Sequence, residues 1–175
     1  LIADELDADW SKVRAEHAPA DEAFTNPIIG RQHTGGSTAI ANSWEQLRKA
    51  GAAARQMLIQ AAAQRWQVDP TQITVVAGVV AHAKTNRKAP FGELAETAAA
   101  LAVPKEVQLK DPAAFRLIGQ RLPRKDSPAK IEGSARFTCD VDLPGLRTAV
   151  VAHPPRFGAC VAGFDAKAAL AIPGV

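Results

Sequence analysis

The segment Gly30–Ser37 reads GRQHTGGS and runs directly into a stretch whose composition favours a helix to about Trp66. Glycines ahead of a helix leave backbone N–H groups unpaired at the positive end of the helix dipole, and both features favour an anion such as a phosphate. The Gly35–Gly36 pair allows a concave backbone, while Thr34, Ser37 and Thr38 add hydroxyl donors at its rim. A hydroxyl bonded to a charged oxygen in a dry site contributes about 1.5–3 kcal/mol. Gln32 offers a donor and an acceptor on one planar amide, which suits an amide-like edge. The segment is neither a P-loop nor a dinucleotide fingerprint, since no Lys-Ser/Thr follows the glycines and no G-x-G-x-x-G follows a strand. Most Gly-Gly-Ser stretches before helices are plain connections, so the residues alone leave a ligand site and a surface loop both open.

Other residues with chemical potential read more simply. His33 is expected to be a solvated loop histidine. Asp4, Glu5, Asp7 and Asp9 lack calcium-loop spacing and are expected to form a solvated helix end without a metal. The stretch PRKDSPAK, with three basic residues, reads as a solvated linker, and Trp10, Trp44 and Trp66 as core fillers. Cys139 and Cys160 form no CxxC or Cys/His cluster; they are expected to be unpaired, partly buried small hydrophobes, with a disulfide between them unsupported. No nucleophile–base arrangement can be argued from order or spacing.

The elements that must position the loop follow from periodicity. Residues 1 to 10 read as helical and Lys12–Glu16 as a short strand. Along the long helix, Trp44, Leu47, Gly51, Ala54, Leu58 and Ala61 recur at spacings of three and four and form one stripe. Half of these six are Gly or Ala, so a neighbouring backbone can approach closely. Ser43 with Gln46 forms a capping box, and Ser37 or Thr38 offers an earlier start. QITVVAGVVAHA gives two β-branched runs around Ala77-Gly78, which predicts a hairpin. A helix follows from about Phe91 to Leu101 with Pro90 at its start, and Ala168 to Val175 reads as a short helix stopped by Pro173 and Gly174. A shift towards Pro, Gly and charge over residues 120 to 134 places a domain boundary near 120, with strand-like runs at Ala135–Val141 and Arg147–Ala152 beyond it.

Bulk properties exclude several classes. With 47% hydrophobic and 22% charged residues the chain is globular in composition. The 21 basic and 18 acidic residues are scattered in both signs, which leaves no concentrated basic face for nucleic acid. No run of about 18 apolar residues occurs, so the reading is a soluble chain without a membrane span, its compartment open between periplasm and cytoplasm. Leu1 opens an apolar-periodic stretch with no capping residue before it, and the expectation is a segment cut from a longer protein.

Three stretches carry a family resemblance that covers nearly the whole chain. IADELDADWSKVR and QHTGGSTAIANSWEQLRKAGAAAR resemble the helix and the cofactor-side loop and helix of the large subunit of the xanthine oxidase and aldehyde oxidoreductase family, in the branch similar to isoquinoline 1-oxidoreductase beta subunits. PRKDSPAKIEGSARFTCDVDLPGLRTAVVAHPP, closing with FDAKAALAIPGV, resembles the start of that family's α/β hammerhead domain. The resemblance implies an α+β chain in which residues 1–119 belong to a molybdopterin-binding domain and residues 120–175 begin an incomplete hammerhead domain. It implies molybdopterin cytosine dinucleotide with molybdenum, hydroxylation of an aldehyde or N-heterocycle with water-derived oxygen, and electron transfer to iron–sulfur clusters on a small partner subunit, with a cytochrome c subunit as a further candidate partner. Carried onto this sequence, Gln32, Thr34, Gly35, Gly36, Ser37 and Thr38 are the cofactor-contacting residues. The family's catalytic glutamate lies in a G-x-G-E stretch that does not occur here, so no catalytic residue is assigned. Two rival readings remain: a scaffold or subunit-contact segment, and a phosphate-binding module independent of molybdenum.

Overall fold

A computed structural model describes residues 1–175, which divide into two compact units, Leu1–Ser134 and Ala135–Val175. The first is α+β. Helix α1 (Ile2–Glu5) precedes the long α2 (Ala39–Trp66), then come strands β1 (Ile73–Val76), β2 (Val79–His82) and β3 (Arg87–Pro90), helix α3 (Phe91–Ala99) and the short α4 (Ser127–Ile131). The strands form one antiparallel sheet in the order β1-β2-β3.

The expected hairpin forms because Ala77 and Gly78 both take positive φ, 47° and 78°, as a two-residue turn matched to strand twist requires. Register pairs Val75 with Val80 and Val80 with Ala89, so the inward residues of all three strands meet on one face. The third strand is not expected from the sequence. RKAP is short, charged and ends in proline, features of an edge strand that read locally as a connection. Leu58, Ala61, Ala62 and Trp66 of α2 pack with Ile73, Val75, Val80 and Ala89 of the sheet and with Leu94 and Ala98 of α3 to make the core. The long helix ends where Gln67 turns left-handed at φ 55° and the Val68 amide bonds back to the Ala63 carbonyl.

The stripe on α2 is only partly inside. Gly51, Leu58 and Ala61 are buried, whereas Trp44 is 36% exposed and Arg48 takes the buried place beside it. The front half of α2 extends past the sheet and meets α1 instead. At Gly51 an added Cβ would lie 2.6 Å from the Ile2 carbonyl oxygen and 2.9 Å from Glu5 Cβ, so the glycine is what lets α1 lie on α2. Gly51→Ala should therefore cost about 1–3 kcal/mol through overpacking, although alanine is the better helix former by about 1 kcal/mol. A shift of the urea midpoint towards lower concentration checks this; a stabilised variant would mean that α1 is not seated there.

Other local expectations need correction. Helix α1 stops at Glu5, because Asp7 takes φ 53°, and Lys12–Glu16 forms no strand. The start of α2 is at Thr38–Ala39, so Ser43 is no cap; its hydroxyl donates to the Ala39 carbonyl inside the first turn. Asp4, Glu5 and Asp7 are buried rather than solvated. Cys139 and Cys160 are free and exposed rather than partly buried.

The second unit contains a turn at Thr138–Asp140 and helix α5 (Lys167–Leu170). The runs Ala135–Val141 and Arg147–Ala152 form no strand there. A strand needs a neighbour to satisfy its backbone groups, and no strand pairing forms within this unit. Phe157, Phe164, Val150 and Val151 stay exposed in it.

Candidate functional site

The glycine loop is built from a turn before it. Asn26 precedes Pro27, and its side-chain Oδ1 accepts from the Ile28 amide at 2.9 Å, the Ile29 amide at 3.3 Å and Asn42 Nδ2 at 3.1 Å. Its carbonyl accepts from the Gly30 amide at 2.8 Å, and its own amide donates to the Arg31 carbonyl. Gly30 can follow this path because it takes φ 74°. The Asn42 contact ties the turn to the first turn of α2, so the chain from Arg31 to Thr38 is held at both ends.

Within the loop, Gln32 is engaged on both faces of its amide. Oε1 accepts from the Asp21 amide at 3.1 Å and Nε2 donates to the Pro19 carbonyl at 2.8 Å. His33 folds over Gly35, where a Cβ would lie 2.5 Å from His33 Nε2. Gly36 and Ser37 take positive φ, 66° and 53°, and turn the chain into the helix. Thr38 is the N-cap residue and makes no side-chain capping bond. The first helical bond is donated by Asn42 to the Thr38 carbonyl, which leaves the amides of Ala39, Ile40 and Ala41 without partners inside the helix.

An open cleft of about 470 Å³ lies between this loop, the preceding turn and the front of α2. Gln32 and Thr34 line it, together with Asn26, His33, Asn42 and Gln46. Gly35, Gly36, Ser37 and Thr38 do not line it; the chain leaves the wall after Thr34 and rejoins it at Ala39. The six residues thus fall into a wall pair and a turn at the helix start. No carboxylate lines this cleft and two histidines, His17 and His33, do, while four other clefts each carry at least one Asp or Glu. A negatively charged group meets the Thr25 and Thr34 hydroxyls, Gln46 and the two imidazoles there and no like charge, while the side-chain amides of Gln32 and Asn42 and the Ser43 hydroxyl are already bonded within the chain. The donor set fits a phosphate-bearing cofactor.

A second cluster is chemically loaded but internally satisfied. Glu5 accepts from Arg48 Nε at 2.6 Å and from the Lys110 amide at 3.1 Å. Asp7 faces Arg55 at 2.9 Å and Lys110 Nζ at 2.7 Å. Asp4 accepts from the amides of Ile118, Leu117 and Arg116 and lies near Lys110. Burial alone would raise the Asp4 pKa, yet these three amides and the Lys110 charge outweigh it and hold the carboxyl below its ordinary value. The Arg48 guanidinium also lies 5.3 Å from the Trp44 ring and 5.0 Å from that of Phe115. Every carboxylate here has a cation, so the cluster is a clasp.

Comparison with known proteins assigns the fold a family. The molybdopterin cofactor-binding domain family matches residues 1–144. The chain belongs to this family. It is 34% identical, over its whole length, to the beta chain of isoquinoline 1-oxidoreductase from Brevundimonas diminuta, of which it covers 27%. It is 32% identical over 99% of its length to a membrane-bound aldehyde dehydrogenase [pyrroloquinoline-quinone] of Gluconacetobacter polyoxogenes, covering 22% of that protein. A third relative, a nicotinate dehydrogenase subunit of Pseudomonas putida, is 30% identical over 98% of the chain, which covers 14% of it. The chain therefore spans about a quarter or less of the length of these relatives. No helix in it is long and apolar enough to cross a membrane.

The loop itself is legible from residue types, but neither Asn26 nor Asn42 is singled out by them. Asn26-Pro27 carries a turn signal; Asn42 carries none, because its role depends on a partner sixteen positions away.

Proposed function

We propose that this chain is the cofactor-holding part of a molybdenum-dependent oxidoreductase subunit that hydroxylates aldehydes or N-heterocycles with water-derived oxygen. The observation that carries the reading is the meeting of a molybdopterin-binding family match over residues 1–144 with a glycine turn feeding the start of a long helix. In this reading the cofactor is molybdopterin cytosine dinucleotide, whose molybdenum supplies the redox chemistry. The name of one relative carries a quinone cofactor; the pterin is preferred because the matched family is defined by it.

Thr34, Gly35, Gly36, Ser37 and Thr38 present amides and hydroxyls to the phosphates, with Gln32 at the head of the segment. The first-turn amides of α2 add the positive end of the helix dipole. These residues bind and orient; the general base belongs to another part of the subunit, and this chain by itself does not turn over. Residues 1–119 form the cofactor-domain portion and residues 120–175 begin a hammerhead domain. Electrons leave through an iron–sulfur small subunit, with a cytochrome c subunit as a further candidate partner.

Gly36→Trp in the full-length subunit tests the site. Gly36 sits at φ 66°, which tryptophan resists, and the ring would cover the turn. Loss of one or two charged-oxygen hydrogen bonds should lower retained pterin and molybdenum roughly tenfold or more. Equal retention by both proteins would favour a scaffold role for this segment. Micromolar binding of a plain nucleotide by the cofactor-free subunit would favour the molybdenum-independent module.

A further inference from the structure

Gln32 stands at the head of the proposed contact segment, but its amide is already occupied. Its acceptor takes the Asp21 N–H and its donor reaches the Pro19 carbonyl, eleven and thirteen positions back in the chain. A planar amide that satisfies one backbone donor and one backbone acceptor on the same turn has little left for a ligand edge. The other end of the loop is fixed independently, by Asn42 reaching Asn26. Between these two ties lie Thr34, Gly35, Gly36, Ser37 and Thr38, none of which is fastened by a side-chain bond in the same way; Thr38 makes no capping bond and the rest are exposed.

We infer that Gln32 is a positioning residue, bracing the glycine turn against the Pro19–Asp21 segment so that the hydroxyls and amides beyond it are arranged before a cofactor arrives. The inference rests on the reading of the loop as the cofactor site and changes the part Gln32 plays in it. Preorganisation of this kind lowers the ordering cost of binding, so removing the brace weakens retention without removing a contact to the ligand. Because the side chain is exposed and bonds only to a surface turn, its loss leaves the folded core untouched.

The test uses the full-length subunit in cofactor-free and loaded forms. Hydrogen exchange of the Asp21 amide in the cofactor-free protein should run roughly three- to tenfold faster in Gln32→Ala, the span of one ordinary hydrogen bond. Gln32→Glu keeps the acceptor and loses the donor, so its exchange should fall between the two. Loaded Gln32→Ala should retain several-fold less pterin at an unchanged melting temperature of the cofactor-free form. Unchanged Asp21 exchange in Gln32→Ala, with or without a drop in pterin, would overturn the brace. Full retention by Gly36→Trp would instead overturn the site reading, even where Asp21 exchange in Gln32→Ala is accelerated, so the two failures are told apart.

Discussion

Arg48→Ala is expected to destabilise the chain by about 3–5 kcal/mol, the range seen when one member of a buried ion pair is removed. Glu5 is 1% exposed, and without the guanidinium its carboxylate keeps only the Lys110 amide. The same truncation removes the donor to the Lys110 carbonyl, held at 2.6 Å, and uncovers the Trp44 and Phe115 rings. Part of the loss would come from stranded charge and part from packing. A Glu5→Gln/Arg48→Met double variant separates them, since replacing both charges by groups of similar size leaves no uncompensated ion and should recover most of the loss. Urea unfolding of the three proteins is the measurement. A cost under about 1 kcal/mol for Arg48→Ala, the value of an exposed pair, would refute the description of a buried clasp.

The clasp also bears on the proposed cofactor site. The apolar core joins the rear half of α2 to the sheet and α3, and it stops short of the front half. There the helix is held by α1 through Gly51 and by Arg48, one turn after Trp44. Asn42 and the helix start that receives the glycine turn lie further forward still. Charge pairs therefore set where the front of α2 lies, and the proposed site inherits its position from them.

How much of this could be read from residues depends on the reach of each interaction. The Ala77-Gly78 hairpin and the end of α2 near Trp66 are legible, because two β-branched runs flank a permissive glycine and the helix-favouring run gives out there; the positive φ of Ala77 and Gln67, which their side chains resist, is not. The acidic run Asp4–Asp7 is misread as solvated for the opposite reason. Its partners lie more than forty positions away at Arg48 and Arg55, and more than a hundred at Lys110 and Leu117. A carboxylate looks the same in sequence whether water or a distant lysine faces it. Strand β3 escapes for a related reason: Lys88 and Arg87 mask an edge strand whose only inward residue is Ala89. In the loop the segment Gln32–Thr38 is visible from its glycines and hydroxyls. The occupied amide of Gln32 is not, since the Pro19–Asp21 turn carries no signal pointing to it.

Asp4→Asn should show the second large loss, about 3–5 kcal/mol near neutral pH, and one that fades in acid. The carboxylate accepts three backbone amides at once, from Ile118 at 2.8 Å, Leu117 at 3.0 Å and Arg116 at 3.3 Å, beside the Lys110 charge. An asparagine presents one acceptor oxygen and turns an NH2 group towards donors. Against burial, which works the other way, the amides and Lys110 keep the folded pKa of Asp4 below 3.8. A carboxyl that ionises more readily in the folded state stabilises folding above its unfolded pKa, about 3.9, and loses that contribution as pH falls through the lower folded value. The difference in unfolding free energy between the parent and Asp4→Asn should thus be constant above about pH 5 and shrink steadily below about pH 4. Asp126, drawn down to about 2 by Lys130 and Arg124, titrates in the same acid range. It is present in both proteins and cancels from the difference. A gap between the two proteins that stays the same from about pH 6 to the acid limit of folding would mean that Asp4 contributes through its shape and not through its charge.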